Sequence, residues 1–163
     1  MGTRPALCHD AAMGSFSISR ATTIDADPAL VHRLVNDFHE WRAWSPWEAV
    51  DPDLDRTFSG ADSGVGAHYA WVGNRRAGEG TMEIVGATPE RIDVLLTFVK
   101  PRRTTNDVTF TLTPSGGSTE VVWIMSGEQR GLMGVLGRVV PMDKIVGRDF
   151  EESLARLKAA AEA

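Results

Sequence analysis

The sequence predicts an α+β domain, one antiparallel sheet of about seven strands lying under a single long C-terminal helix. Three observations lead there. From residue 54 to 127 apolar and polar residues alternate with a period of two, and turn-forming residues cut that stretch into strand-length pieces. The connections between the pieces are short, whereas a parallel crossover needs about a dozen residues or more. From residue 142 onward the apolar period becomes three and four, the stripe of a helix that must be buried against something. At 163 residues, with no low-complexity linker, the chain is one domain over 14–163, preceded by a tail at 1–13 read as disordered, with Met13 a candidate start.

Phe16, Ile18 and, after a register change, Ile24 mark an opening strand. Asp27-Pro28 then supplies an N-cap followed by proline at the first helical position, where its missing N–H costs nothing. Val31, Leu34, Val35 and Phe38 form one apolar face of a short helix ending near 36–39. Next comes the densest aromatic cluster, Trp41, Trp44 and Trp47, three tryptophans within seven residues. Ser45 and Pro46 break this segment into a turn, so its indoles are expected to line a cleft.

Six further strands are expected at 54–59, 67–72, 78–85, 91–99, 106–113 and 119–126. Alternation assigns the covered face to Tyr69 and Trp71, to Met82 and Ile84, to Ile92, Val94, Leu96 and Phe98, to Val108, Phe110 and Leu112, and to Val121, Trp123 and Met125. Glu83, Asp93, Thr97, Thr109, Thr111 and Glu120 take the opposite, watered face, where Val122 and Ile124 stand as exceptions. The last helix carries Met142, Val146, Phe150, Leu154, Leu157 and Ala161 on one stripe. Before it, residues 131–137 are apolar nearly all round and Pro141 kinks or restarts the helix, which suits either a lip over a cavity or glycine-mediated packing on the sheet.

Composition narrows the function. A net charge of −5 without a basic run argues against nucleic acid, whose backbone is neutralised by clustered Lys and Arg. No apolar run approaches the roughly 20 residues of a membrane span. The single Cys8 excludes an internal disulfide and a cysteine zinc cage, and the cytoplasm is the expected compartment. His9, His32, His39 and His68 are scattered without ligand spacing, so neither a metal nor another cofactor is expected. Gly64-x-Gly66 and Gly78-x-Gly80 lack the third glycine and the strand-to-helix setting of a phosphate loop and read as strand ends or bulges.

Taken together, Trp41-x-x-Trp-Ser-Pro-Trp47, Phe58-Ser-Gly60, Gly64-Val-Gly66, Tyr69-x-Trp71, Gly78-Glu-Gly80 with Met82-Glu-Ile84, Thr105-Asn106, Trp123-x-Met-Ser-Gly127, and Met142-Asp-Lys144 with Asp149-Phe150 resemble the bacterial polyketide cyclase/dehydrase-like branch of the START and birch-pollen-allergen (SRPBCC) superfamily. The resemblance runs from about Phe16 to Ala161 and implies a helix-grip fold, a curved sheet around the long helix with a cavity between them. Such proteins include lipid carriers, receptors and aromatase/cyclases, so the fold does not choose among them. The expected partner is a small hydrophobic or amphipathic molecule, lipid-like or polyketide-like, bound by a monomer or homodimer.

Trp44, Trp47, Tyr69, Trp71, Met82, Phe98, Phe110, Trp123, Met125 and Met133 are the candidate ligand-binding residues, on the alternative that they simply fill a core. Glu79 is the candidate acid/base. Strict alternation points it outward, and a bulge at Gly78 or Gly80 would turn it inward, where lost hydration raises a carboxyl pKa. His68 alternates with Tyr69 and is expected to face away. The alternatives to simple binding are a cofactor-independent cyclase or dehydratase using Glu79, and a protein-interaction module of the kind implied by a more distant resemblance to heat-shock ATPase activator homologues, for which an apolar patch at 132–140 would speak.

Overall fold

The computed structural model describes residues 15–45, 48, 50–100, 103–128 and 142–163. The elements run β1 (Ser15–Ile24), α1 (Pro28–Asn36), a 3-10 helix (Phe38–Ala43), β2 (Asp55–Gly60), β3 (Ala67–Val72), β4 (Glu79–Thr88), β5 (Arg91–Lys100), β6 (Thr104–Ser115), β7 (Ser118–Glu128) and α2 (Met142–Glu162). All seven strands join one antiparallel sheet in the order β1-β7-β6-β5-β4-β3-β2, and with α2 this is the helix-grip arrangement. The predicted tail at 1–13, the segment 131–137, Pro141 and the apolar patch at 132–140 lie outside the described residues.

The expected register change in β1 does not occur. Pairing with β7 runs unbroken from Ser15↔Glu128 to Ile24↔Thr119. Ile18 and Ile24 are both buried on the same face, because the polar positions between them, Arg20 and Thr22, face inward too and are only half-buried. Arg20 reaches over α2, where its Nε donates to Glu151 at 2.9 Å and its guanidinium occupies the space a Cβ on Gly147 would need. Lys158 adds a second tie to β1, donating to the Thr23 carbonyl at 2.8 Å.

Helix α1 starts as its sequence dictates, Asp27 Oδ1 accepting from the Ala29 N–H at 3.0 Å with proline in the first turn. It ends at Asn36, within the expected 36–39, and what the sequence does not show is how that end is satisfied. Trp41 Nε1 donates to the Val35 carbonyl at 2.9 Å and Trp44 Nε1 to the Leu34 carbonyl at 3.1 Å, so two indoles satisfy carbonyls that a helix leaves open in its last turn. To make those bonds both rings turn inward, which is why Trp41 and Trp44 are only 3% and 0% exposed instead of lining an open cleft.

Every predicted inner-face residue of β3 to β7 is buried except Phe98, which is partly buried and packs on that core. Val122 and Ile124 on the opposite face are half-buried. From α2, Phe150, Leu154, Leu157 and Ala161 close the core.

Candidate functional site

The aromatic inner face divides in two. Toward β7, Trp44, Phe110 and Trp123 meet edge-on or tilted at centroid separations of 4.9–5.9 Å, and Trp123 stacks on Phe150 of α2 at 4.0 Å. This half is filled. Toward the β2 edge, Tyr69 stacks on Trp71 at 6.1 Å, Phe98 stands perpendicular to Trp71 at 5.7 Å, and Phe58 lies 5.3 Å from Tyr69. Met82 pairs directly across from Tyr69, and Met125 across from Val108; both are buried. Trp47 and Met133 lie outside the described residues.

Polar groups gather in the second half. On β2, Arg56 and Phe58 share the inner face with Trp71 and Tyr69 as their cross-strand partners. Arg56 Nε donates to Glu48 Oε1 at 2.7 Å, its Nη2 donates to Glu48 Oε2, and its Nη1 donates to the Leu54 carbonyl at 3.1 Å. The paired side chains are 16% and 15% exposed. This is the bidentate geometry in which guanidinium meets carboxylate best, and the bond to Glu48 holds the Arg56 charge firmly, raising its pKa. The Tyr69 phenol stands near enough to feel both charges. Burial, reinforced by Glu48 and partly offset by Arg56 and Arg42, pushes it up to about 12.

That shift gives a measurable consequence. Tyr69 is the only tyrosine in the chain, so tyrosinate absorbance reports it alone. Folded protein should titrate near 12, against 10.0 for an ordinary tyrosine, and urea-unfolded protein near the latter. The unfolded state then holds fewer protons than the native state between those two pH values, so stability is intact below the lower one and falls as pH rises through the window. A folded-state titration at the unfolded value would place the phenol in water.

Two further polar features were not legible as a site. Asn106, 4% exposed on the inner face of β6, donates to Thr104 Oγ1 at 3.5 Å and faces Gly127, where any Cβ would collide with the Asn106 amide oxygen. Trp123 Nε1 and Ser153 Oγ are enclosed without a hydrogen-bond partner among the described residues.

Glu79 is placed differently from a buried acid. The pairing of β4 with β5 does shift register between Glu79 and Gly80, the bulge that Gly78-x-Gly80 suggested. The shift leaves Glu79 at the strand end, its side chain 33% exposed and 3.8 Å from the solvent-facing Lys100 ammonium. Gly80 is the buried member, and the Trp71 ring lies directly on its bare backbone. His68 points to the far face as expected and meets Ser59 Oγ through Nδ1 at 3.3 Å.

A cleft of about 150 Å³ opens between the 3-10 helix and the ends of β2 and β3, lined among others by Phe38, His39, Phe58, Asp62 and His68. His39 stacks on Phe58 at 4.2 Å. Phe38 and Phe58, its inner wall, both also touch Tyr69, at 5.8 and 5.3 Å, so one layer of rings separates the cleft from the polar cluster. Among the described residues no three metal-ligating side chains converge, and no helix is long and apolar enough to cross a membrane.

Residues 15–162 match the sequence profile of a family described as polyketide cyclase / dehydrase and lipid transport. No curated protein matches the sequence. Among solved structures the chain is similar to protein CV1439 from Chromobacterium violaceum (18% identity, TM-score 0.66, covering 90% of this chain and 97% of that one). It is also similar to a START superfamily protein from Mycobacterium smegmatis (15%, 0.60, 90% and 97%) and to the Aha1 dimer from Colwellia psychrerythraea (15%, 0.61, 90% and 96%). At such identities these likenesses concern the fold alone.

Proposed function

We propose, from the premise that the chain belongs to the polyketide cyclase / dehydrase and lipid transport family, that it binds a small hydrophobic or amphipathic molecule, lipid-like or polyketide-like, against the inner face near β2 and β3. The observation that carries this reading is the Glu48–Arg56 pair beside Tyr69 on an otherwise aromatic wall. A largely buried ion pair adds little to stability compared with apolar residues of the same volume, so its presence on this face is better explained by a ligand's polar end than by folding. Aromatic surface with a few fixed polar groups is the usual composition of a small-molecule site. The cleft behind Phe38 and Phe58 supports the same reading.

Glu79 is not favoured as an acid/base by its position, beside an exposed lysine at the strand end. Catalysis in this site would fall instead to Tyr69, a phenol that stays protonated and able to donate at neutral pH.

Native mass spectrometry beside a solvent-extracted sample tests the reading. The expected result is a retained or added hydrophobic species of defined mass, accompanied by stabilisation of about 2.7 kcal/mol at a hundred times its dissociation constant. Protein that comes out empty and shows no thermal shift with fatty acids, long-chain ketones or aromatic ketones would overturn it.

A further inference from the structure

We propose that Glu48 makes this site selective for ligands whose polar end is uncharged, a ketone or hydroxyl in place of a carboxylate or phosphate; the proposal rests on the ligand-binding reading above. A lone arginine on an apolar wall would attract anions. Here three of the five guanidinium N–H groups are committed, Nε and Nη2 to the two oxygens of Glu48 and Nη1 to the Leu54 carbonyl, and the guanidinium also donates to the Tyr69 phenol oxygen. The pair carries no net charge, and Arg42 nearby is exposed, where water and salt screen it.

An incoming carboxylate would meet the Glu48 carboxylate in a place where both are poorly hydrated, and like charges in such surroundings repel strongly. To reach Arg56 it would have to displace Glu48 and expose an oxygen pair that already has ideal partners. The group with donor capacity toward a ligand is the Tyr69 hydroxyl, uncharged at neutral pH, and a phenolic O–H suits a ketone or hydroxyl oxygen. An ammonium end is disfavoured as well, because both Glu48 oxygens already accept from Arg56, whose positive charge repels a second cation. Sequence alone does not show this, since Arg56 without Glu48 would predict the opposite preference.

The test is calorimetric titration of the full chain with three probes of one chain length, 2-dodecanone, dodecanoate and dodecylammonium. Wild type should bind the ketone at least about tenfold more tightly than either charged probe. Glu48→Gln should raise the affinity for dodecanoate relative to that for the ketone at least about tenfold, and Glu48→Gln combined with Arg56→Gln should cancel that gain. Dodecanoate binding to wild type as tightly as the ketone overturns the proposal without any variant, so a variant that fails to fold does not protect it. Equal preference in wild type and a folded Glu48→Gln overturns the proposal but leaves ligand binding standing. Failure of all three probes to bind overturns the ligand-binding reading, and the proposal with it.

Discussion

Replacing Trp44 by alanine is expected to cost the domain about 3–5 kcal/mol, the range for removing a buried large aromatic side chain. The ring is fully enclosed, contacts Trp41, Phe110 and Trp123 at 4.4–5.9 Å, and spends its N–H on the Leu34 carbonyl. Trp44→Phe separates the two contributions. It keeps most of the packing but leaves that carbonyl without its donor, a loss of about 1–3 kcal/mol. Urea unfolding of the two variants beside wild type measures both. A Trp44→Ala loss under about 1 kcal/mol would mean that the indole borders open space and would return it to the ligand-binding surface.

Gly80→Ala should be nearly as damaging, at about 3 kcal/mol, the upper part of the range for overpacking. Its backbone is not in the left-handed region, so the objection to a side chain is purely one of space. An added Cβ would lie 2.5 Å from the Thr97 carbonyl oxygen and 2.5 Å from Trp71 Cη2. The indole cannot simply slide away, because its N–H is bonded to the Ala77 carbonyl at 2.9 Å. Shortening the partner in Gly80→Ala/Trp71→Leu should recover the ring's share of the strain relative to Trp71→Leu alone, leaving the backbone share. Strict additivity of the two substitutions in thermal unfolding would show that ring and glycine do not touch.

These cases show what could be read in advance. Period-two alternation identified the inner faces of β3 to β7 because a sheet with one covered side forces it, and the stripe Phe150, Leu154, Leu157, Ala161 identified the covering helix for the analogous reason. The tryptophan cluster was conspicuous, but composition does not say whether an indole borders a pocket or satisfies a helix end. That depended on the angle at which the chain leaves α1. Arg56 did carry a signal: it interrupts Leu54 and Phe58 at positions of the same parity, a charge on an apolar face. Glu48 carried none, since it stands eight residues before Arg56 and the two meet only in the folded chain. In β1 the inward Arg20 and Thr22 imitated a change of face because neither is apolar, yet the unbroken pairing with β7 shows that the face never changed.

The strand order has a consequence for synthesis on the ribosome. The first strand to emerge, β1, sits at the end of the sheet beside the last, β7, while β2 to β7 each pair with a strand adjacent in sequence. Nascent β1 therefore has no hydrogen-bonding partner until roughly a hundred more residues have been made, and joining such distant segments is the slow kind of contact. The hairpins of β2 to β7 can zip in order as they appear, with β1 and α2 joining last and together, tied by Arg20–Glu151 and Lys158–Thr23. A chain halted before β7 would carry β1 unpaired, with Phe16, Ile18 and Ile24 uncovered, and that species is where chaperone engagement during translation would concentrate.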